Sequence, residues 1–329
     1  MFVRLVPNII ARTVIVRLLL GLATLFGVSI IIFAAIAVLP GDFAKVALGR
    51  SATPETVANF RHLLGLDQPA LLRYMHWIGG VARGDFGLSF SSGTGTPRTV
   101  ASIIGPRIAN TLTLAAVTAC VAVPLALGLG LLAAMYRNSL LDRVLNTATL
   151  ICISFPEFFV AYVLMLFFAV KIPLFYSLAR ISPDMSSMEM LARMALPIVT
   201  LCFGTVAHMM RMTRATIIGL MASPYIEMAR LKGVAPWKII LRHALPNAWA
   251  PIVAVIAFNL AYLIVGVVVV EVVFVYPGIG QSMVDAVKSR DIPVVQACAL
   301  IFAATFVILN LLADVLAVAS NPRLRQPAS

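Results

Sequence analysis

Charge is scarce in this chain. Of its 329 residues only 12% are charged and 61% are hydrophobic, whereas a soluble domain carries about 25% charged residues. So little solvation excludes a soluble globular protein, and several apolar runs reach the ~20 residues that cross a bilayer as a helix. Acidic residues are the scarcest, 13 against 25 lysines and arginines, for a formal net charge of +12. The cations flank apolar runs and form no patch interleaved with aromatics, which excludes a nucleic-acid binder. Cysteine is limited to Cys120, Cys152, Cys202 and Cys298. All four fall in apolar runs without a CxxC or a nearby histidine, so they read as small buried hydrophobes, not as disulfides or metal ligands. No GxxxxGK[ST] loop is present to cradle nucleotide phosphates. HExxH and paired intramembrane aspartates are missing too. The one histidine inside a span, His208, has no GxSG partner, so a rhomboid-like serine protease lacks its parts. A self-sufficient secondary transporter usually shows internal repeats, and none is seen. No catalytic residue and no metal site is assigned.

What the chain does have is six apolar spans, Leu18–Leu39, Thr111–Met135, Val144–Val170, Met194–Met210, Ala248–Val273 and Ile292–Ala319. The expected fold is an all-α integral membrane protein with six transmembrane helices. Arg4, Arg12 and Arg17 precede the first span and "AIA" ends it, as in a signal peptide. Its uncharged core of 22 residues exceeds the ~7–15 of a signal sequence, so it reads as a retained helix.

Orientation follows from the distribution of lysine and arginine in short loops. With the N-terminus inside, the inner segments hold thirteen of them and the two short outer loops hold five. The long loop 40–110 holds the other seven, but loops beyond ~60 residues translocate regardless of charge. Both termini are expected in the cytoplasm. The chain divides into 1–110, a first helix with a long external loop; 111–319, a five-helix core containing a cytoplasmic loop 211–247; and a tail, 320–329. In the external loop, "TPETVANFRHLLGLDQP" offers Thr53 as an N-cap, Pro54 at the first helical position and Val57, Phe60 and Leu64 at helical spacing. A second short helix follows Asp67, and both helices are expected near the membrane surface.

The densest basic cluster is "SPYIEMARLKGVAPWKIILRHALP", residues 223–246. Ser223 is placed to cap and Pro224 to open a helix running through Leu231, and Gly233 permits a left-handed stop. Pro236 opens a second helix with Trp237, Ile240, Leu241 and Ala244 on one face, and Pro246 ends it. A basic amphipathic helix resting on lipid headgroups leaves the spacing Glu227–Ala229–Gly233–Leu245–Pro246 unexplained. That spacing resembles the cytoplasmic signature of ABC importer permeases, with Met228 in place of the middle alanine and His243 where many members have isoleucine. "VLPGD", "HLLGLDQP", "GDFGLSF", "RNSLLDRV", "VEVVFVYPGIGQSMVDAVKSRDIPVVQA" and "NPRLR" resemble, in order, the dipeptide/oligopeptide/nickel permease family, in the version with a long external loop after the first span.

The resemblance implies a type I ABC importer transmembrane fold in the bacterial cytoplasmic (inner) membrane. It implies a coupling helix seated in a groove of an ATPase subunit, carried by Tyr225, Glu227, Ala229, Arg230, Lys232 and Gly233 with Leu245 and Pro246 beyond. The implied partners are a second, homologous permease chain, two cytoplasmic ATPase subunits that bind ATP and Mg, and an external solute-binding protein. No cofactor is expected in this chain. Dipeptides, oligopeptides, nickel chelates and glutathione are all open as substrates.

Acids within spans are expensive and need a reason. Glu157 in "SFPEFF" follows Pro156, which frees a backbone carbonyl and can kink the helix. It is a translocation-path carboxylate meeting a cationic group, or it makes an interhelical hydrogen bond. Glu271 belongs to the resemblance motif with Tyr276 and the Pro277–Gly278–x–Gly280 turn; a structural or outer-gate role is favoured over substrate contact. Asp314 is expected to pair with a cation such as Arg323 or with a partner helix, and His208 to be a satisfied polar residue. Gly128, Gly130 and Ala134 are small enough for close helix approach. If the orientation holds, single cysteines placed at Ser91 and Lys238 in a cysteine-free background react with an impermeant thiol reagent from opposite sides of the membrane; labelling of both from outside would invert it.

Overall fold

The structure is a computed structural model that describes residues 5–38, 52–63, 67–92, 98–182 and 184–319. "VLPGD", the middle of "HLLGLDQP", "NPRLR" and the 320–329 tail lie outside the described residues. The helices are α1 (Leu5–Val38), α2 (Pro54–Leu63), α3 (Ala70–Val81), α4 (Val100–Met135), α5 (Leu140–Ser154), α6 (Glu157–Met165), α7 (Ser187–Met221), α8 (Pro224–Leu231), α9 (Pro236–Ile239), α10 (Leu245–Phe274), α11 (Ile279–Ser289) and α12 (Ile292–Ala319). Among the described residues, extended pairing is limited to one antiparallel bridge, Leu88 with Thr99.

Among the described residues, five stretches are long and apolar enough to cross a membrane: Val14–Ile36, Val100–Met135, Ser187–Met221, Pro236–Phe274 and Ile292–Leu316. The sixth is broken. Helix α5 and the segment Glu157–Lys171, which ends in a π-helical turn from Leu166, meet at an angle of 99°. The third span, expected as Val144–Val170 with a kink at Pro156, is thus a sharply bent pair of helices. Phe155 precedes proline, a position that disfavours helical backbone, and it is extended at φ −95°, ψ 134°.

Other boundaries also move outward. The fourth span, expected as Met194–Met210, is a 35-residue helix that runs through Pro197, and the second begins at Val100. Hydropathy marks the greasy middle of a helix, whereas the backbone ladder continues until a cap stops it. Pro246 does not end a helix. The chain is helical from Pro236 to Phe274, passing through a π-helical segment at Ile240–Ala244. A proline has no N–H and its ring crowds the carbonyl four residues back; a π-turn just before it relaxes that register.

Packing follows small residues. The face of α4 that carries buried Ala115, Ala122, Ala126 and Ala133 lies in one core with Met194, Leu201, Met209 and Met210 of α7 and Val267 and Val270 of α10. At Gly130 a Cβ would lie 2.9 Å from the Met210 carbonyl oxygen and from Thr213 Cβ, so the backbones of α4 and α7 nearly touch there. Gly128 meets nothing within 4 Å and contributes no such contact. Helix α1 packs on the outside of α12, where a Cβ on Gly21 would meet Val307 Cγ1 at 2.7 Å. Arg17 Nε lies 3.1 Å from Asp314 Oδ2. Arg17 is thus the partner of Asp314; Arg323 lies outside the described residues.

Between α1 and α4 the described residues form the two helices α2 and α3. Thr53 Oγ1 accepts the Thr56 N–H at 3.2 Å at the start of α2. Helix α3 leans on α1 through Tyr74, whose hydroxyl is 2.8 Å from Ser29 Oγ and whose ring meets Phe33 edge-on at 5.4 Å. Overpacking a tight contact costs about 1–3 kcal/mol. Gly130→Val is therefore expected to lower the thermal unfolding temperature of the purified protein, and Gly128→Val, on the same helix, to change it far less.

Candidate functional site

Three groups of polar residues stand out, one at each end of the bundle and one between them. At the first end lies α8. Ser223 occupies its N-cap position, but its hydroxyl donates back to the Leu220 carbonyl and does not cap; Pro224 opens the helix as expected. The C-terminus is a Schellman motif. Val234 N–H donates to Ala229 O at 3.2 Å and Gly233 N–H to Arg230 O at 2.9 Å. Gly233 sits at φ +75°, in the left-handed region glycine enters without strain. Ile226 and Ala229 turn inward, into a small core with Ile239 and Ala244.

Outward from α8 face Tyr225, Glu227, Met228, Arg230, Leu231 and Lys232. Met228 is 54% and Leu231 77% exposed, so an apolar ridge stands among charges. In the following helical stretch the buried residues are Ile239, Ile240 and Ala244. Trp237 and Leu241 are exposed, which corrects the face expected from spacing. Leu245 and Pro246 continue that helix into α10. Arg137 and Arg230 line a 440 Å³ cavity under α8, between the ends of α4 and α7.

This end is pinned by a contact that sequence reading passed over. Asp142, buried at the start of α5, receives Arg214 Nε at 2.7 Å and Nη2 at 2.8 Å. It also accepts Asn138 N–H at 2.9 Å and Asn146 Nδ2 at 2.7 Å. The fork fixes the α4–α5 turn to α7 seven residues before α7 ends. Its signal in sequence was an acid between two arginines in "RNSLLDRV".

At the opposite end Glu271 is fully buried. Its carboxylate accepts Thr111 Oγ1–H at 2.6 Å and the N–H groups of Gly280 at 2.7 Å and Gln281 at 3.3 Å. It caps the first turn of α11 and ties that turn to α4, in the position where a negative charge is favoured at a helix N-terminus. A Cβ on Gly278 would collide with the Glu271 carboxylate, and one on Gly280 would lie 2.7 Å from Val268 Cα. These glycines are required by close approach. Tyr276, also buried, donates to Asn110 O at 2.8 Å, and Asn110 Nδ2 donates to Pro277 O at 2.9 Å. Glu271, Tyr276, Pro277, Gly278 and Gly280 are thus brought together in a sealed turn. A second acid nearby was not singled out from sequence. Asp291, buried between α11 and α12, accepts Ser89 Oγ–H at 2.5 Å and the N–H groups of Phe90 at 3.1 Å and Ser91 at 3.2 Å, pinning residues 89–91.

Between the ends, Glu157 stands apart from these clusters. It occupies the first position of α6, just past the break, and its carboxylate lies against Gly204 of α7 and Gly266 of α10. It lines a cavity of about 460 Å³ together with His208, Thr205, Asn259 and Tyr262. His208 is exposed and, among the described residues, neither it nor Glu157 has a hydrogen-bond or ion-pair partner. The partner expected for His208 is not found among the described residues.

Residues 126–326 match the family described as the binding-protein-dependent transport system inner membrane component, and residues 10–115 match its N-terminal region. The chain belongs to that family. It is a membrane-spanning permease subunit of an importer, a multi-pass component of the inner membrane. A probable peptide ABC transporter permease of Sinorhizobium fredii is 36% identical over 94% of this chain and 97% of its own length. The glutathione transport system permease protein GsiC of Escherichia coli K12 is 37% identical over 94% of this chain and 98% of its own. In fold the chain is similar to one from the MetNI methionine ABC transporter in an inward-facing conformation, with a TM-score of 0.54 and 18% identity over 67% of this chain and 96% of that one.

The Glu271 turn gives a sharp expectation. Glu271→Ala strands the Thr111 hydroxyl and the buried Gly280 N–H, at about 1–3 kcal/mol each, along with the half-buried Gln281 N–H; Gly278→Ala displaces the same carboxylate. Both variants are expected to lower the unfolding temperature. Because they break one contact, the double variant should be little worse than the poorer single one, whereas additive losses would mean the two residues act separately.

Proposed function

We propose that this permease subunit pairs with a second, homologous permease and imports peptides or related small solutes delivered by an external binding protein. Two separate ATPase subunits, binding ATP and Mg, would drive it, so the chain itself carries no cofactor. The peptide class is supported by the relatives, one named for peptide and one for glutathione transport. The observation that carries the coupling role is the exposed ridge of α8. Met228 and Leu231 face outward on a helix whose other face is anchored, with Glu227, Arg230 and Lys232 around them. An apolar ridge rimmed by charge suits a protein groove better than water. Both ends of the helix are stiffened, by Pro224 and by the Schellman turn, so a push on it moves the attached helices as bodies. On this reading α8 and both termini face the cytoplasm, and the Glu271 turn faces outward.

Gly233 tests the proposal. At φ +75° a β-branched residue is strained by about 1–3 kcal/mol, and no neighbour lies within 4 Å of the added Cβ, so the strain is in the backbone alone. Gly233→Val is expected to insert normally, to lose the co-purifying ATPase subunits and to abolish uptake in reconstituted vesicles. The external binding protein should hold its ligand with unchanged affinity. Wild-type co-purification together with wild-type uptake would reduce α8 to a topology anchor.

A further inference from the structure

We infer that the cavity at the α5–α6 break is a station on the solute's path, where Glu157 receives the cationic amino group of the passing solute. This rests on the importer reading above and adds a site and the chemical group it takes. A carboxylate serving only the fold of a bundle is bonded across helices, as Glu271 and Asp142 are here. Glu157 has no such bond among the described residues, yet space has been left for it. A Cβ on Gly266 would lie 2.7 Å from Oε1 and 2.8 Å from Oε2, and one on Gly204 would lie 3.8 Å from Oε1. Two helices thus present bare backbone where the acid sits, and the chain break puts it at a helix start, where the peptide dipoles favour a negative charge.

The lining decides the kind of partner. Glu157 is its one acid, and neither lysine nor arginine is among the residues of this chain that line it. The remaining basic group of the lining, His208, makes no hydrogen bond or ion pair with Glu157 among the described residues, so the carboxylate is left to be neutralised by something that enters. A metal ion is a poor candidate, since no group of three or more histidine, cysteine or acidic side chains among the described residues is placed to hold one. An ammonium suits the set. It can donate to the carboxylate in charge-assisted hydrogen bonds, with Thr205 and Asn259 as further polar partners. The paired rings of Phe258 and Tyr262, 5.3 Å apart, offer faces to a cation or to an apolar side chain. About 460 Å³ accommodates a small peptide-sized group. The lining has no fixed cation for a solute carboxylate, so the site reads one end of a zwitterion.

Cys152 lines the same cavity and supplies a probe that needs no knowledge of the solute. In the assembled transporter, with Cys120, Cys202 and Cys298 changed to alanine, Cys152 is treated with a trimethylammonium-bearing and a sulfonate-bearing methanethiosulfonate. The ratio of their rates is compared with that on a small free thiol. The cation is expected to be favoured about tenfold beyond the free-thiol ratio, as one nearby charge can supply, and Glu157→Gln should remove the preference. A Cys152 inert to both reagents, or a ratio indifferent to Glu157→Gln, overturns the inference.

Uptake gives the second arm, with trialanine and N-acetyl-trialanine as probes. Glu157→Gln is expected to slow trialanine about tenfold, the loss of one charge-assisted contact, in a complex that still assembles. N-acetyl-trialanine, lacking the ammonium, should be unaffected. Gly266→Ala, which keeps the charge but displaces it, should slow trialanine in the same way, and Glu157→Asp should recover part of the rate. Loss of the assembled complex in both Glu157→Gln and Glu157→Asp would assign the carboxylate to the fold and overturn the site. A wild-type transporter that takes up neither peptide sinks the peptide reading instead, and that failure is told apart because the Cys152 ratio still responds to Glu157.

Discussion

An apolar helix gains nothing from the hydrophobic effect by leaving lipid for another apolar helix, so cohesion in this bundle depends on how closely backbones approach. The contact of α4 with α7 at Gly130 meets that constraint, and the alanine face of α4 extends it along the helix. Everything else is hung on this pair. Helix α10 closes the same core, α12 follows α10, and α1 is attached last, through Gly21 and the Arg17–Asp314 bridge. Many large apolar side chains are turned to the surface, as Phe158, Tyr262 and Ile308 are.

With packing left to small residues, the few acids do the precise positioning. Asp142, Glu271 and Asp291 are each buried and each collects three or more donors. Each sits where a turn meets a helix, so that backbone N–H groups with no partner in a helix ladder end on a carboxylate. A buried ion unaccompanied by such bonds would be costly; bonded in this way it defines one geometry for the turn. Glu157 is placed differently, at a break and beside bare glycine backbone, and the difference in bonding is what separates its role from theirs.

Much of this was legible in the sequence. Composition and span length gave the helical membrane class, and proline and glycine gave the bounds of α8, including the left-handed Gly233. The break at Pro156 was legible as a possible kink but not as a right-angled turn, because the angle depends on what α6 packs against. Helix ends were misjudged wherever a helix continues past its apolar middle, as α7 does to Met221 and α10 does from Pro236. The cap by Ser223 failed because its hydroxyl found a nearer carbonyl at Leu220. The Asp142–Arg214 fork joins residues 72 apart, a distance over which no local pattern operates. The emptiness around Glu157 was likewise beyond reach, since the glycines that create it stand on two other helices.

The unbroken helical stretch from Pro236 to Phe274 has a mechanical consequence. Its 39 residues span about 59 Å at 1.5 Å per residue. One end is held to α8 by the Ile226–Ala229–Ile239–Ala244 core, and the other ends at the Glu271 turn. A rod of that length converts angle into distance: turning it by about 5° about one end carries the other some 5 Å sideways, roughly the pitch of one helical turn. The π-helical segment at Ile240–Ala244 is an irregular point in it, lying almost at the α8 end. A joint placed there leaves nearly the whole length of the lever beyond it.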